Sequence, residues 1–488
     1  MSFQSLVEAF THQVESRPDA TALWVESSDE PVVPISWRQL ARAVHLTSTA
    51  LNDRFNANPS LPRRIGHASD NTVADIVLAL AAMDLGAIEI PLDARLNTEE
   101  IERRFQRVGG HWVDSNERKS IEARALLGAF DSSSSLRPDR IRGKWVGDVR
   151  PDDPSLILWT SGTTGCAQGV TLSQRALVGN AEAKLAAVPQ HTSDVRLTVL
   201  PLSHAYARTC DFGTWLLSGC ELGVTLGYAG LKRMATSLRP HLINTVPRIA
   251  YRLLEENPKG LDRLRLLGCG GAPISPASFL QWQDRGVTVI QGYGLTETGP
   301  VICSATPENA SPGLVGNFVE GWESRIIDGQ LFVRGPHVML HYWNDEAATW
   351  RKVDADGWLA TGDLVELDES HDQLRILGRS DDVIVLDSGI KICPSAIERE
   401  VERIEGVSHA LLHFQQELQL WFDASDEANL DSVRRQISET ILRSQELSGC
   451  TVHRFSPHLS ASSGELTAKG TIRRSTILEQ RFANYAGS

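Results

Sequence analysis

The stretch Leu158 to Val170, LWTSGTTGCAQGV, constrains this chain most, because an apolar strand-like run passes without a break into Thr160, Ser161, Gly162, Thr163, Thr164 and Gly165. Glycines let a backbone approach a phosphate closely, with its N–H groups turned inward, and the hydroxyls add further donors. A loop of this kind suits a polyphosphate, although Gly/Ser/Thr turns on a plain surface share the composition. It is not a Walker loop, since Gln168 and Gly169 stand where Gly-Lys-Ser/Thr is required. Other apolar runs, Leu156 to Trp159, Leu197 to Leu200 and Val287 to Gln291, also end in Gly, Ser or Thr clusters. Open α/β sheets bind ligands at such strand ends.

Upstream, Leu6, Ala9, Phe10 and Val14 recur at helical spacing, as do Ile76, Leu80 and Met83, while Ala87 to Leu92 reads as a strand. The alternation predicts βαβ units around a mainly parallel sheet. Ser132 to Ser135 with Pro138, Gly143 and Pro151 marks a connector. Short β pieces are expected at Gln330 to Val333, Trp358 to Ala360 and Leu374 to Leu377. Gly378 to Asp382 interrupts that pattern before a further strand, Val383 to Leu386. A helix through Ile397, Val401 and Ile404 and a strand through Leu418, Leu420 and Phe422 then read as a small α+β unit, with a domain boundary near Asp381.

The 488 residues suffice for about three domain-sized units. A net charge of −13 argues against holding nucleic acid or an anionic membrane through bulk charge. The seven cysteines are scattered singly with no CxxC pair, which argues against a disulfide framework or structural zinc. Ile76 to Met83, the most apolar early run, is broken by Asp84 and is too short to span a bilayer. A soluble, cytoplasmic protein with no integral membrane segment is the expectation.

Further clusters complete a nucleotide site. Gly268, Gly270, Gly271, Ala272 and Pro273 follow an apolar run and permit tight contact with a flat ring. Gly292, Tyr293, Gly294, Leu295, Thr296 and Glu297 set an aromatic ring beside a carboxylate suited to Mg²⁺, though a solvated surface Glu fits equally well in isolation. Thr361, Gly362 and Asp363, with Arg379, offer groups suited to ribose hydroxyls and a phosphate, or a surface ion pair.

In order, TSGTTGCAQGV, GCGGAP, GYGLTETGP, TGDL, GRSDD and the terminal LTAKGTIRR resemble the successive motifs of the adenylate-forming superfamily, and the resemblance covers nearly the whole chain. That family comprises acyl-CoA synthetases, aryl-CoA ligases, luciferases and peptide-synthetase adenylation domains. The resemblance implies a mixed α/β fold. A large N-terminal domain of mostly parallel sheets flanked by helices, with a β-rich piece, would span 1–378. A hinge would lie at 379–382, and a small mobile α+β C-terminal domain at 383–488. It implies that Thr160, Ser161, Gly162, Thr163, Thr164 and Gly165 cradle the ATP phosphates, with Glu297 and Thr160 at Mg²⁺. Gly271, Ala272 and Pro273 would line the adenine with Tyr293 and Gly294 nearby. Thr296 would touch the α-phosphate, and Asp363 and Arg379 the ribose. Asp381 matches the hinge position, and Lys469 matches the lysine that bridges the carboxylate and α-phosphate oxygens. The implied reaction joins a carboxylic acid to ATP, giving an acyl adenylate and pyrophosphate, and then passes the acyl group to the thiol of coenzyme A.

PLSHAYAR (Pro201 to Arg208), INTVPRIAYRLLE and GRSDDVIVLDSGIKI resemble the medium- and long-chain fatty acyl-CoA synthetase branch, in which His204 would line the acyl or pantetheine channel. A buried structural histidine is the other reading of His204. No aspartate stands in the register that peptide-synthetase domains use for a substrate amine; Asp211 is nearby at a different spacing from Gly219. The chain departs from the family where Ala167 and Gln168 replace Pro and Lys, and where Lys469 precedes Gly470. The alternatives are a ligase loading an aryl or other acid onto CoA or an acyl carrier protein, and a non-catalytic adenylate-binding relative.

Overall fold

Continuous apolar runs become strands buried on both faces, and they assemble into two large sheets that share one core. The computed structural model describes residues 3–26, 32–127, 150–160, 167–386, 390–415, 417–426, 428–443, 447, 449–460, 462–466 and 472–482. One sheet has nine strands in the order Asn317–Phe318, Val301–Ser304, Thr288–Gly294, Leu266–Cys269, Leu242–Thr245, Val195–Thr198, Glu221–Val224, Thr21–Val25, Val33–Ser36. Its six central strands are parallel. The other has six strands in the order His341–Tyr342, Gly169–Ser173, Pro154–Trp159, Ile88–Asp93, Arg64–Ser69, His111–Val113, with the last four parallel. The mixed α/β expectation holds.

The helix Val73–Asp84 is buried at every residue. Its sequence, VADIVLALAAMD, has no polar face, so it lies wholly inside, against the helix Trp37–Ala57 and the strand Ile88–Asp93. Its first polar residue, Asp75, accepts from the backbone N–H groups of Asp70 (3.0 Å) and Thr72 (3.1 Å), which fixes where the helix starts. Thr21–Val25 pairs antiparallel with its sequence neighbour Val33–Ser36 on one side and in parallel with the distant Glu221–Val224 on the other. Local periodicity identifies a strand without naming its partner.

Beyond Asn317 an antiparallel sheet follows, Glu323–Ile327, Gln330–Arg334, Leu359–Asp368 and Gln373–Arg379. The last strand runs through Gly378 and Arg379 instead of breaking there, and a single 3₁₀ turn, Ser380–Asp382, succeeds it. The C-terminal part is a sheet of Val407–Phe414, Leu418–Ala424 and Thr451–Arg454 with the helices Pro394–Val401 and Leu430–Leu442. Its apolar cluster, including Val401, Leu412, Phe422 and Ile437, is separate from the main core. The strand Ile384–Val385 is shorter than Val383 to Leu386, and the serine run Ser132 to Ser135 lies outside the described residues. No described helix is long and apolar enough to cross a membrane.

Candidate active site

The site is built where the central strand Thr288–Gly294 leaves its sheet. Gly294 passes so close to the returning chain that a Cβ there would stand 1.6 Å from the carbonyl oxygen of Pro300, so only glycine fits. The 3₁₀ turn Thr296–Thr298 follows, held by the Thr298 hydroxyl, which accepts from the Leu295 N–H (3.0 Å) and donates to the Pro300 carbonyl (2.9 Å). This turn directs Glu297 inward, where it is 9% exposed and therefore no solvated surface residue. The Tyr342 phenol donates to Glu297 Oε1 at 2.6 Å, and the Met339 N–H donates to the Glu297 carbonyl at 2.8 Å. Burial, reinforced by the Glu297 charge, raises the Tyr342 phenol far above its ordinary value, so it stays a donor.

The second wall is the hairpin of Leu359–Asp368 and Gln373–Arg379, whose register sets Asp363 directly opposite Arg379. Arg379 Nη1 donates to Asp363 Oδ1 (3.0 Å) and to the Thr361 carbonyl (3.2 Å). Gly362, at φ +77°, lies under that guanidinium, and a Cβ there would meet Arg379 Nη2 at 2.7 Å. Tyr293 crosses from the first wall to the second and donates to Asp363 Oδ2 at 2.5 Å. Burial and then the Asp363 charge push the Tyr293 phenol well up. Lys352 ends the helix Glu346–Lys352 and donates to the same Thr361 carbonyl at 3.1 Å. Burial pulls its ammonium below the lysine range, while Glu297, Asp363 and Asp381 act to raise it and Arg379 to lower it.

Thr160 ends the strand Pro154–Trp159, and its N–H donates to the Gln168 carbonyl (3.0 Å) while its hydroxyl accepts from the Gln168 N–H (3.2 Å). These two bonds hold Thr160 and Gln168 together on either side of residues 161–167. Ser161, Gly162, Thr163, Thr164 and Gly165 lie outside the described residues, as does Lys469. The Gln168 side chain donates to Asp345 Oδ2 at 3.4 Å, and Arg107 donates to the Ala167 carbonyl at 2.9 Å. Gly271, Ala272 and Pro273 are exposed just beyond the strand Leu266–Cys269, with Gly271 at φ +76°. Thr296 opens the turn that carries Glu297.

His204 precedes the short helix Ala205–Ala207, with Nε2 3.4 Å from Asp93 Oδ2, and is about one-third exposed. Asp211 is fully buried and bound to Arg196 (2.5 Å) and Asn244 (2.7 Å), so it is committed to the core. Asp381 is exposed, 3.7 Å from Arg379 Nη2. The six described cysteines are all free.

The AMP-binding enzyme family matches this sequence over residues 10–343. The chain belongs to the AMP-binding enzyme family. It is 30% identical over 396 residues to the 4-coumarate–CoA ligase-like 9 protein of Arabidopsis thaliana, an alignment covering 72% of this chain and 68% of that one. It is 33% identical over 304 residues to a long-chain-fatty-acid–CoA ligase of Yersinia pestis, covering 55% and 52% of the two chains. In fold it is similar to ATP-bound MatB from Rhodopseudomonas palustris, with a TM-score of 0.77, 22% identity, and 96% and 99% of the two chains covered. The chain is thus an enzyme of a family whose members include ATP-dependent CoA ligases.

Several residues of this AMP-binding enzyme's site had no signal in the sequence. Tyr342, Asp345 and Arg107 reach it from sequence positions far from the residues they hold, and Lys352, only nine residues before Thr361, is joined to it by no helix or strand spacing rule.

Proposed function

We propose that this AMP-binding enzyme is an acyl-CoA synthetase that activates a carboxylic acid, most simply a fatty acid, with ATP and Mg²⁺, and passes the acyl group to coenzyme A. The observation that carries this reading is the bridge Tyr293–Asp363–Arg379, which sets two carboxylate oxygens in a fixed plane beside the Glu297 turn. A carboxylate held by a phenol and a guanidinium is oriented to accept from paired ribose hydroxyls. Glu297 fits Mg²⁺ by the chemistry of its donor, a buried hard carboxylate of which only Oε1 has a hydrogen-bond partner among the described residues. When bound, that ion supplies charge neutralisation for pyrophosphate.

The substrate carboxylate oxygen bonds to the α-phosphorus as the α–β bridging bond breaks, and pyrophosphate leaves with the electron pair. Such transfers need positioning more than covalent help. In this proposal Thr160 to Gly165 hold the phosphates, Thr296 touches the α-phosphate, Gly271 to Pro273 line the adenine, and Lys469 offsets charge between the two reacting groups. The 379–382 segment, with Asp381, is the hinge of a C-terminal lid. The thiol of coenzyme A then attacks the acyl carbonyl, AMP leaves, and His204 lines the channel it enters. The similarity to a 4-coumarate–CoA ligase-like protein favours an aryl acid as the second reading. A cytoplasmic location accords with both.

The test is pyrophosphate release with Mg²⁺-ATP across acids from C2 to C18 and aryl acids, with and without coenzyme A. Release peaking at one aliphatic length and accelerated by coenzyme A is expected. A peak among aryl acids selects the second reading, and binding of nucleotide without release from any acid overturns both.

A further inference from the structure

Lys352 has no part in the adenylation chemistry described above, yet its surroundings are those of a ligand-binding cation. Its helix is capped by Asp345, whose carboxylate accepts from the Ala348 N–H at 2.9 Å. The same helix leaves Trp350 68% exposed while turning Lys352 inward. There the ammonium donates to the Thr361 carbonyl at 3.1 Å, an acceptor already shared with Arg379. Among the described residues no carboxylate comes within 4.0 Å of it, whereas Arg379 is paired with Asp363. A largely buried ammonium with one neutral acceptor is costly unless something anionic completes its shell. Its position matters as much as its charge. Thr361, whose carbonyl it reaches, lies two residues from Asp363, and the carboxylates of Glu297, Asp363 and Asp381 all act on the ammonium from beyond contact distance.

We propose that Lys352 is a binding residue for the α-phosphate of the nucleotide, its ammonium reaching the phosphate that lies between the ribose at Asp363 and the metal side at Glu297. The assignment rests on the nucleotide-site reading above and adds a cation to a site whose phosphate loop has Gln168 in place of lysine. The α-phosphate is common to ATP, acyl adenylate and AMP, so Lys352 holds the group through the whole cycle while pyrophosphate and thiol come and go.

Equilibrium binding of AMP and of adenosine to the full chain tests this, because the two differ only by that phosphate. Wild type binds AMP more tightly than adenosine; Lys352→Met loses about tenfold or more of the AMP affinity and leaves adenosine unchanged. Lys352→Arg, which keeps the charge, retains AMP binding within a few-fold. Equal weakening of AMP and adenosine by Lys352→Met identifies a strap between helix and strand and overturns the proposal. So does an unchanged AMP affinity, or an equal loss in the arginine variant. Wild type binding neither ligand overturns the nucleotide site itself, an outcome distinct from failure at Lys352 alone.

Discussion

The phenol of Tyr293 donates a 2.5 Å hydrogen bond to Asp363, joining the end of the parallel sheet to the antiparallel hairpin that follows it. The acceptor is a carboxylate that also binds Arg379, so the tyrosine helps to hold its plane. Hydrogen bonds to charged groups contribute about 1.5–3 kcal/mol. Tyr293→Phe is expected to raise the KM for ATP about tenfold with kcat changed less than about threefold. Steady-state kinetics at saturating acid check this; a fall confined to kcat would place the tyrosine's role in the chemical step.

Gln168 donates to Asp345, so a cation introduced there meets a carboxylate before it meets a nucleotide. Gln168→Lys is expected to lower the KM for ATP only slightly. Adding Asp345→Asn, which can still cap the helix, is expected to release the lysine and lower the KM further, by about threefold to tenfold. A KM for ATP equal to that of wild type in both variants would remove position 168 from the phosphate site.

His67 is fully buried between Asp75 (3.2 Å) and Glu89 (3.1 Å), in a chain of alternating charges continued by Arg118 and Arg208. Burial alone would lower the imidazole's pKa, but the bonds and charges of Asp75 and Glu89 raise it above 6.5. The sign follows. A raised folded-state pKa contributes stability that is complete below the unfolded value of about 6.5 and is lost as pH rises through the folded value. Asp75 works oppositely: burial disfavours its charge, but His67 and Arg118 hold it well below the carboxylate range, so its contribution is lost as pH falls below about 4. Melting temperature is expected to decline on the alkaline side. His67→Gln should flatten that decline while costing about 3–5 kcal/mol for a broken buried pair. An unaltered pH profile in the variant would mean that His67 is neutral in the fold.

Lys469→Ala is expected to nearly abolish adenylate formation while sparing thioester formation from a pre-made acyl adenylate. Parallel stopped assays of the two half-reactions measure it, and equal loss in both would sink the assigned role.

Much of this was legible because motif residues are consecutive and strand runs are local. The strand through Leu156 to Trp159, the helix over Ile76 to Met83 and the unit through Leu418 to Phe422 follow from local runs, whereas the strand expected over Val287 to Gln291 runs on to Gly294. The hairpin register that opposes Asp363 to Arg379 is a pairing between runs separated by a turn, so the sequence offered both residues without their contact. Lys352 and Tyr342 were illegible for a stronger reason. Each acts through the tertiary path of a helix or an edge strand, and nothing in the neighbouring residues marks which side chain turns inward. The same holds for Thr21–Val25, whose parallel partner lies almost two hundred residues away.

The missing side chain at Gly294 has an evolutionary corollary. With the Pro300 carbonyl filling the space of its Cβ, the stretch from Tyr293 to Pro300 doubles back tightly on itself and is best exchanged as a single cassette. A chimera whose crossover falls inside it would import a Tyr293 ring fitted to one parent's hairpin and a Glu297 carboxylate fitted to the other's edge strand. Crossovers at either flank keep both in step.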